Sequence, residues 1–188
     1  SPIHKVSALN NVGIDGLKII TPDIFKDGRG YFLEAYHAPK FEKNDLSVTF
    51  VQDNQAGSVK NVLRGLHFQT KFPQGKMIQT IRGEIFDVAV DIRPTSPTFK
   101  QWHGIHLSSD NHLQFYVPPG FAHGYCVISD YAEISYRCTD IYHPEYETGI
   151  IWNDPDLNIH WPLTKPILSP KDISLPRLNN LLLEEKNG

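Results

Sequence analysis

The sequence predicts an all-β domain, a sandwich or a closed barrel, because many short strand-like segments alternate with turn residues. The chain has 188 residues, a length that suits one domain, and 40% of them are hydrophobic, which is enough to bury a core. Its 14 prolines and 13 glycines are spread along the chain and divide it into short pieces. We therefore expect a single domain over residues 1–188, built mostly from short strands.

The clearest strand runs from Glu84 to Arg93. Apolar residues occupy the even positions from Phe86 to Ile92, and the odd positions from Asp87 to Arg93 hold polar residues or alanine. This period of two predicts a strand that is buried on one face. The other predicted strands span residues 31–36, 49–54, 62–69, 76–82, 102–107, 113–117, 125–128 and 134–142.

The C-terminal part of the chain has a different pattern. Residues 153–176 are rich in proline and polar residues, but they also contain large apolar side chains, such as Trp161 and Leu168, that need burial. We expect an irregular segment packed over the barrel there. Leucines at loose helical spacing then predict a short terminal helix or a frayed tail over residues 176–186.

Composition and charge argue against several classes of function. The formal net charge is −3, so no basic surface indicates nucleic-acid binding. No run of about 18 apolar residues indicates a membrane-spanning segment. The two cysteines, Cys126 and Cys138, lack the spacing of a zinc site, so we expect two buried free thiols. Such thiols are typical of proteins in the reducing cytoplasm, where we expect this chain to act.

The segment PPGFAH at residues 118–123 matches PxGxxH, a half-motif of the cupin barrels. In metal-binding cupins the histidine of this half-motif joins an HxH pair and a glutamate from an earlier strand. Here the earlier strand reads HFQ at residues 67–69, and His123 alone cannot supply the three or so ligands that a metal site needs. The half-motif therefore predicts a cupin-type double-stranded β-helix, a jelly-roll barrel, without a bound metal.

A proton-transfer site is the main alternative to a metal site. His67 lies within a predicted strand, and Lys76 follows the turn at residues 73–75, so a hairpin at this turn would direct both side chains into one cavity. Removal of a proton beside a carbonyl needs a base with a pKa near neutral and a positive charge at the enolate oxygen. An inversion also needs an acid on the opposite face of the carbon. Tyr136 and Tyr142 share a strand face by parity, and either can return the proton.

Strand geometry sets a condition on this site. Arg64 and His67 are three residues apart, so a regular strand points their side chains to opposite faces. A β-bulge at Gly65 would bring both side chains to the same face. Because histidine, lysine and tyrosine in strands are more often structural than catalytic, these residues alone favour a ligand-binding barrel over an enzyme.

Ordered motifs along most of the chain resemble the dTDP-4-dehydrorhamnose 3,5-epimerase family. They are DGRGYFLE (27–34), FVQDN (50–54), VLRGLHFQ (62–69), QGK (74–76), GEIFDVAVD (83–91), GFAHG (120–124), TDIY (139–142), WNDP (152–155) and LSPKD (168–172). They cover nearly everything from about Gly16 to Pro176. Each motif is weak by itself, but together they are specific, and they reverse the preference for a non-catalytic barrel.

The resemblance implies a cupin-type homodimer that needs neither a metal nor a cofactor. It implies epimerisation at C3 and C5 of dTDP-4-dehydro-6-deoxy-D-glucose, giving dTDP-4-dehydro-L-rhamnose. By resemblance, His67 is the base, Asp172 orients it, Lys76 lies near the C4 oxygen and Tyr136 is the proton donor. The positions that fall on substrate-binding residues are Arg29, Glu34, Gln52, Asn54, Arg64, His123, Tyr142, Glu147 and Lys171.

The sequence also departs from the family pattern. Arg137 replaces the common lysine after the tyrosine, Ile141 stands where many members have a second tyrosine, and residues 55–61 are less serine-rich. These departures leave the exact nucleotide and sugar open. The alternatives are an epimerase that acts only at C3 of a related sugar nucleotide, a non-catalytic cupin that binds a nucleotide sugar, and a metal-dependent cupin oxygenase.

Overall fold

The computed structural model describes the backbone of residues 4–8 and 14–187 and the side chains of residues 14–185. The ends of the predicted domain, residues 1–3 and 188, lie outside the described residues, as do residues 9–13. The strands are β1 His4–Ala8, β2 Lys18–Pro22, β3 Phe25–Asp27, β4 Gly30–Phe32, β5 Gln52–Val59, β6 Leu63–Gln69, β7 Lys76–Arg82, β8 Glu84–Asp91, β9 Trp102–Ser108, β10 Gln114–Val117, β11 Phe121–Val127, β12 Tyr131–Cys138 and β13 Glu147–Gly149. The helices are α1 Ala38–Lys43, α2 Pro170–Ile173 and α3 Leu178–Asn187, with a 3₁₀ turn at Pro144–Tyr146.

Two antiparallel sheets pack face to face and form the barrel. The first has the strand order β1-β2-β10-β7-β12-β5, and the second has the order β13-β6-β11-β8-β9. Strands β3 and β4 form a separate hairpin. This arrangement confirms the predicted all-β, cupin-type jelly roll. No helix within the described ranges combines the length and apolar character needed to cross a membrane.

The barrel interior is filled by side chains from the inner faces of both sheets. Ile78 and Phe115 come from the first sheet, and Ile85, Ala89 and Leu107 come from the second, all of them buried. Phe86, Val88 and Val90 on the other face of β8 are buried as well, because the outer face of the second sheet is covered. The prediction of a strand buried on only one face was therefore wrong for β8, since β8 lies between β9 and β11 under a second apolar layer.

The C-terminal segment supplies that second layer, as predicted. Trp152, Trp161 and Leu168 pack with buried residues on the outer face of the second sheet. Helix α3 begins at Leu178, which is 3% exposed and belongs to the same cluster. On the other side of the barrel, Phe41 of α1 covers the outer face of the first sheet. Cys126 and Cys138 are buried and free, which confirms the prediction for the two thiols.

Three local predictions were wrong. The strand predicted over residues 31–36 ends at Phe32, and the strand predicted over residues 134–142 ends at Cys138. Tyr142 therefore lies in a loop, and the parity argument that paired it with Tyr136 fails. Strands β6 and β7 do not form a hairpin either, because β6 pairs with β11 and β13 while β7 pairs with β10 and β12 of the opposite sheet.

Candidate active site

A β-bulge in β6 places Arg64 and His67 on the same face of the strand. His67 is opposite His123 of β11, and Arg64 is opposite Tyr125, so three steps along β6 match two steps along β11. The extra residue lies around Gly65, which has φ = 120°. Leu63 and Leu66, also three residues apart, both pack in the outer apolar layer. The β-bulge at Gly65, which the sequence analysis required for Arg64 and His67 to share a face, is therefore confirmed.

The imidazole of His67 forms a short hydrogen bond with Asp172 of α2. His67 Nε2 lies 2.6 Å from Asp172 Oδ1, and the other oxygen of Asp172 accepts a 3.0 Å bond from Gly65 N–H. Asp172 is only 3% exposed. Its burial acts to raise its pKa, but the hydrogen bonds from His67 and Gly65 outweigh this, and the pKa lies below its ordinary value. The ionised carboxylate therefore holds a proton on Nε2 and leaves Nδ1 of neutral His67 as the basic atom.

Helix α2 begins with a cap that fixes Asp172. Ser169 is the N-cap, and its hydroxyl accepts a 3.1 Å hydrogen bond from Asp172 N–H. Pro170 follows at the first helical position, where its fixed φ suits a helix start. The local sequence SPKD thus fixes the backbone that carries the carboxylate.

Glu147 lies on the opposite side of the His67 ring from Asp172. Its Oε1 is 3.7 Å from His67 Nδ1, and its Oε2 accepts bonds from Lys171 Nζ at 2.8 Å and from Tyr142 Oη at 2.5 Å. Burial acts to raise the pKa of Glu147, but these bonds keep it below its ordinary value. Donation to Glu147 raises the pKa of Tyr142 to about 12. Tyr142 is therefore held as a neutral donor to Glu147.

Lys76 and Tyr136 project into the site from the first sheet. Lys76 Nζ lies 5.9 Å from the centroid of the Tyr136 ring. Burial lowers the pKa of Lys76, although the acidic neighbours Glu147 and Asp87 oppose that shift. Burial also raises the pKa of Tyr136. The phenol is therefore protonated at neutral pH, as a proton donor requires.

Asp87 is a buried carboxylate that the sequence reasoning did not single out. It is 0% exposed, and both of its oxygens lie 2.8 Å from His123 Nε2. Burial raises its pKa, while His123 and Lys76 oppose this. The signal was present in β8, where Asp87 shares its strand face with Ile85 and Ala89 of the barrel interior. A charged residue among apolar residues on the interior face marks a polar site inside the barrel.

A cavity of about 500 Å³ brings most of the predicted residues together. The predicted residues in its wall are Arg64, His67, Lys76, His123, Tyr136, Glu147, Lys171 and Asp172. In this cavity the His67 imidazole, paired with Asp172, comes from the second sheet. The Tyr136 phenol and the Lys76 ammonium group come from the first sheet. Arg64 also donates to Ser58 Oγ at 3.0 Å. This arrangement can remove a proton from a carbon acid, stabilise the resulting oxyanion and return a proton.

Three other predicted residues form a hydrogen-bonded chain next to the cavity rather than in its wall. Gln52 accepts a bond from Tyr142 N–H at 2.9 Å and donates to Asn54 at 3.0 Å. Asn54 in turn bonds to the side chain of Tyr136. Together with the bond from Tyr142 Oη to Glu147, this chain of hydrogen bonds links Tyr136 to Glu147 outside the cavity wall.

Arg29 and Glu34 do not line this cavity. Arg29 forms an ion pair with Asp27 on the β3–β4 hairpin, and its side chain is 91% exposed. Glu34 forms an ion pair with Lys40. Within the residues whose side chains are described, no group of three or more His, Cys, Asp or Glu is arranged to hold a metal ion.

Comparison with known proteins identifies the family. The family model described as dTDP-4-dehydrorhamnose 3,5-epimerase matches residues 11–180. The chain is 52% identical over 162 residues to the dTDP-4-dehydrorhamnose 3,5-epimerase of Methanothermobacter thermautotrophicus, covering 85% of this chain and 88% of that protein. It is 49% identical over 175 residues to the enzyme of the same name from Salmonella typhimurium, covering 92% and 96%.

A solved structure gives the same result at the level of the fold. The dTDP-6-deoxy-D-glucose-3,5-epimerase of Legionella pneumophila, crystallised in complex with dTDP-4-keto-L-rhamnose, superposes with a TM-score of 0.91. It is 48% identical in sequence, and the match covers 96% of both chains. From its sequence and its fold, the chain belongs to the dTDP-4-dehydrorhamnose 3,5-epimerase family.

Proposed function

We propose that this protein epimerises dTDP-4-dehydro-6-deoxy-D-glucose at C3 and C5 to give dTDP-4-dehydro-L-rhamnose. The observation that carries the proposal is the cavity in which the His67–Asp172 pair faces Lys76 and Tyr136. The names of the relatives and the product bound to the Legionella enzyme support this substrate. The reaction needs no cofactor, because its acidic carbons lie beside a ketone that the substrate itself carries.

Each inversion follows from the chemistry of that ketone. Protons on C3 and C5 are acidic because both carbons flank the C4 carbonyl, and both enolates place their charge on the same oxygen. His67 removes the proton, and Lys76 stabilises the enolate oxygen. Tyr136 then protonates the opposite face of the carbon, which inverts it. One base and one acid therefore serve both carbons.

The rest of the cavity suits an anionic nucleotide. Arg64 and Lys171 are the cationic groups in its wall outside the proton-transfer set, and both are exposed to solvent. A planar guanidinium binds phosphate oxygens in pairs, and an ammonium group binds them as a point charge. We assign these two residues to the diphosphate. His123, which Asp87 holds beside Lys76, is assigned to the sugar.

We also propose that the protein acts as a homodimer in the cytoplasm. The β3–β4 hairpin exposes Phe25, Tyr31 and Phe32 at 54%, 59% and 65%, and such an apolar patch is typical of an interface. Arg29 and Glu34, which belong to the motif of this region, do not reach the cavity of their own chain. A second copy that packs on the hairpin would receive both residues at its substrate site. The two buried free thiols support the cytoplasm.

Proton exchange tests the proposed reaction. The protein is incubated with dTDP-4-dehydro-6-deoxy-D-glucose in D₂O, and deuterium at C3 and C5 is followed by NMR. We expect deuterium at both carbons with the wild-type protein and at neither with His67→Ala. His106→Ala is the matched control, since His106 is exposed on β9 and does not line the cavity. Exchange at C3 alone would identify a C3 epimerase, and binding without exchange would identify a non-catalytic protein.

A further inference from the structure

A buried glutamine stands where metal-binding cupins have the second histidine of their HxH pair. Gln69 ends strand β6, two residues after His67 and on the same face of the strand, and it is 6% exposed. It does not line the cavity that contains His67, Lys76 and Tyr136. Its side-chain amide therefore serves a purpose other than contact with a molecule in that cavity.

The amide of Gln69 binds the backbone of two loops. Its Nε2 donates to Phe72 O at 2.7 Å, in the β6–β7 connection, and to Ile141 O at 3.3 Å, in the β12–β13 loop of residues 139–146. Its Oε1 accepts a 2.7 Å bond from His143 N–H of the same loop. The rings of Phe72 and His143 also lie 4.7 Å apart. The amide thus uses its donors and its acceptor to hold the two loops together.

The β12–β13 loop carries Tyr142 between the two residues that Gln69 binds. Tyr142 is 43% exposed. Its N–H donates to Gln52, and its hydroxyl donates to Glu147, which lines the substrate cavity. The backbone on both sides of Tyr142 therefore decides whether its side chain reaches the rim of that cavity.

The two ends of the β12–β13 loop are held by other bonds. Gln74 Nε2 donates to Asp140 O at 2.9 Å, and Thr70 N–H donates to Tyr146 O at 2.9 Å. Loss of the Gln69 amide would leave these bonds in place. It would release the middle of the loop, where Tyr142 lies.

We propose that Gln69 is a positioning residue for substrate binding and that it acts through Tyr142; this inference rests on the proposed function and on the substrate-binding role that the resemblance gives to Tyr142. The amide keeps the middle of the loop in the conformation that places Tyr142 beside Glu147. Without the amide the loop adopts this conformation for only part of the time, and the apparent affinity for the substrate falls in proportion. Proton transfer is preserved, because the bonds of Gln69 go to loop backbone and not to His67 or Tyr136.

Gln69→Met tests this role, since methionine is nearly as long as glutamine but forms none of the three bonds. We expect KM for dTDP-4-dehydro-6-deoxy-D-glucose to rise about 10-fold and kcat to stay within about 3-fold of wild type, measured by steady-state kinetics. Gln69→Glu removes the two donors and keeps an acceptor, and it provides the result if Gln69→Met does not fold. Gln101→Met is the matched control at an exposed position that does not line the substrate cavity, and it should change neither constant.

A double mutant distinguishes positioning from a general loss of structure. Tyr142→Ala removes the side chain through which Gln69 is proposed to act, so adding Gln69→Met to Tyr142→Ala should change KM by less than about 2-fold. The proposal is overturned if Gln69→Met raises KM by the same factor with and without Tyr142, or if it leaves KM of the otherwise wild-type protein unchanged. A wild-type protein that exchanges neither carbon would contradict the proposed function instead. Calorimetric titration with the same sugar nucleotide would then give a Kd that replaces KM in this comparison.

Discussion

The carboxylate of Asp172 has two partners that serve different purposes. One oxygen fixes the His67 ring, and the other accepts the backbone N–H of Gly65 in the bulge. A single buried side chain therefore selects the tautomer of His67 and also accepts a hydrogen bond from the irregular backbone beside it. In the proposed reaction Asp172 is a positioning residue that acts through His67.

Asp172→Asn separates these two purposes. The amide oxygen can still accept from Gly65 N–H, but its NH₂ group donates to His67 Nε2 and moves the ring proton to Nδ1, so the base is lost. We expect kcat to fall by about 10²-fold or more with a small change in KM, measured by steady-state kinetics. Asp156→Asn, at an exposed site that contacts Asn179, should leave kcat unchanged. A wild-type kcat in Asp172→Asn would show that the pair is not required.

Lys76 carries a charge that is unfavourable for folding. Burial lowers its pKa, and it forms no hydrogen bond or ion pair with the side chains described in residues 14–185. The unfolded chain therefore binds the proton more tightly than the folded protein does. Burial of Lys76 therefore costs stability below its ordinary pKa of 10.5, and that cost disappears as the pH rises towards this value.

Lys76→Met is expected to abolish exchange and to raise stability. We expect a gain of about 1 kcal/mol at pH 7, or about 2–4 °C in Tm, because activity and stability make opposite demands on this residue. The difference from wild type should narrow in alkaline solution, as followed by calorimetry. Lys60→Met, at an exposed lysine, is the matched control and should change neither property. A lower Tm for Lys76→Met would contradict this account.

At the scale of secondary structure, the bulge in β6 is the element on which the site depends. Gly65 has φ = 120° and packs against β11, where an added Cβ would lie 2.7 Å from both Gly124 Cα and His123 O. Only glycine combines this backbone conformation with such a close approach of two strands. The bulge therefore depends on the residue at position 65.

Gly65→Ala is expected to lower the free energy of unfolding by about 2–4 kcal/mol through backbone strain and steric overlap. Urea unfolding measures this change. Gly28→Ala is the matched control, because an added Cβ there meets no heavy atom within 4 Å. A loss below about 1 kcal/mol for Gly65→Ala would show that β6 can adopt the bulge without glycine.

The connection between β8 and β9 is held by one buried carboxylate. Asp91 accepts bonds from Arg93 Nε and Nη2 at 2.9 Å and from the hydroxyls of Ser96 and Thr98 at 2.6 Å. Burial acts to raise its pKa, but these bonds lower it from 3.8 to about 2. Since the folded pKa is the lower one, the stabilisation is complete above about pH 4 and is lost as the pH falls towards 2.

Asp91→Asn should therefore be less stable than wild type by roughly 2 kcal/mol at pH 7, from the size of the shift. The difference should shrink as the pH falls from about 4 to about 2. Urea unfolding at several pH values measures it. Asp110→Asn, at an exposed position after β9, should show no such difference. A difference that did not change with pH would rule out the ionisation of Asp91 as its cause.

At the scale of the whole molecule, the site exists because two sheets face each other. His67 comes from the second sheet, while Lys76 and Tyr136 come from adjacent strands of the first. In the proposed reaction the base and the acid therefore approach the sugar from opposite walls, which is the geometry that inversion of a carbon requires. The hairpin that carries Arg29 belongs to neither sheet.

Phe32→Glu tests the proposed homodimer. A two-stranded hairpin with exposed aromatic side chains is marginal by itself, and a second copy would bury it. We expect the wild type to sediment as a dimer and Phe32→Glu to sediment as a monomer with reduced exchange activity. Leu183→Glu, which places the same charge at an exposed leucine of α3, should remain a dimer. A monomeric wild type, or a dimeric Phe32→Glu, would refute the proposal.

Much of the fold was predictable from local pattern. Strand β7 was predicted with its observed ends, and the all-β class followed from turn residues between short apolar runs. The pairing of the strands was harder to predict from the sequence, because the periodicity of a strand does not specify which strands are its neighbours. We predicted a hairpin of β6 and β7, but the segment between these strands crosses from one sheet to the other. His67 and Lys76 nevertheless line the same cavity.

The site was predictable to the extent that strand parity applies. The conflict between Arg64 and His67 required a bulge, and the bulge is present. Parity failed for Tyr142, because β12 ends at Cys138 and the loop after it follows no fixed period. Asp87 was overlooked because the alternation in β8 indicated an exposed polar face. Burial on both faces is a tertiary property that the strand itself does not encode.

The late position of Asp172 has a consequence for the synthesis of the protein. The strands that build the cavity are translated first, whereas the carboxylate that orients His67 belongs to the last short segment before α3. A nascent chain in which residues 167–172 have not yet emerged from the ribosome therefore lacks the carboxylate that orients His67 and also the part of the cavity wall that carries Lys171. In the proposed reaction, catalysis begins only after this segment has been translated and has folded onto β6.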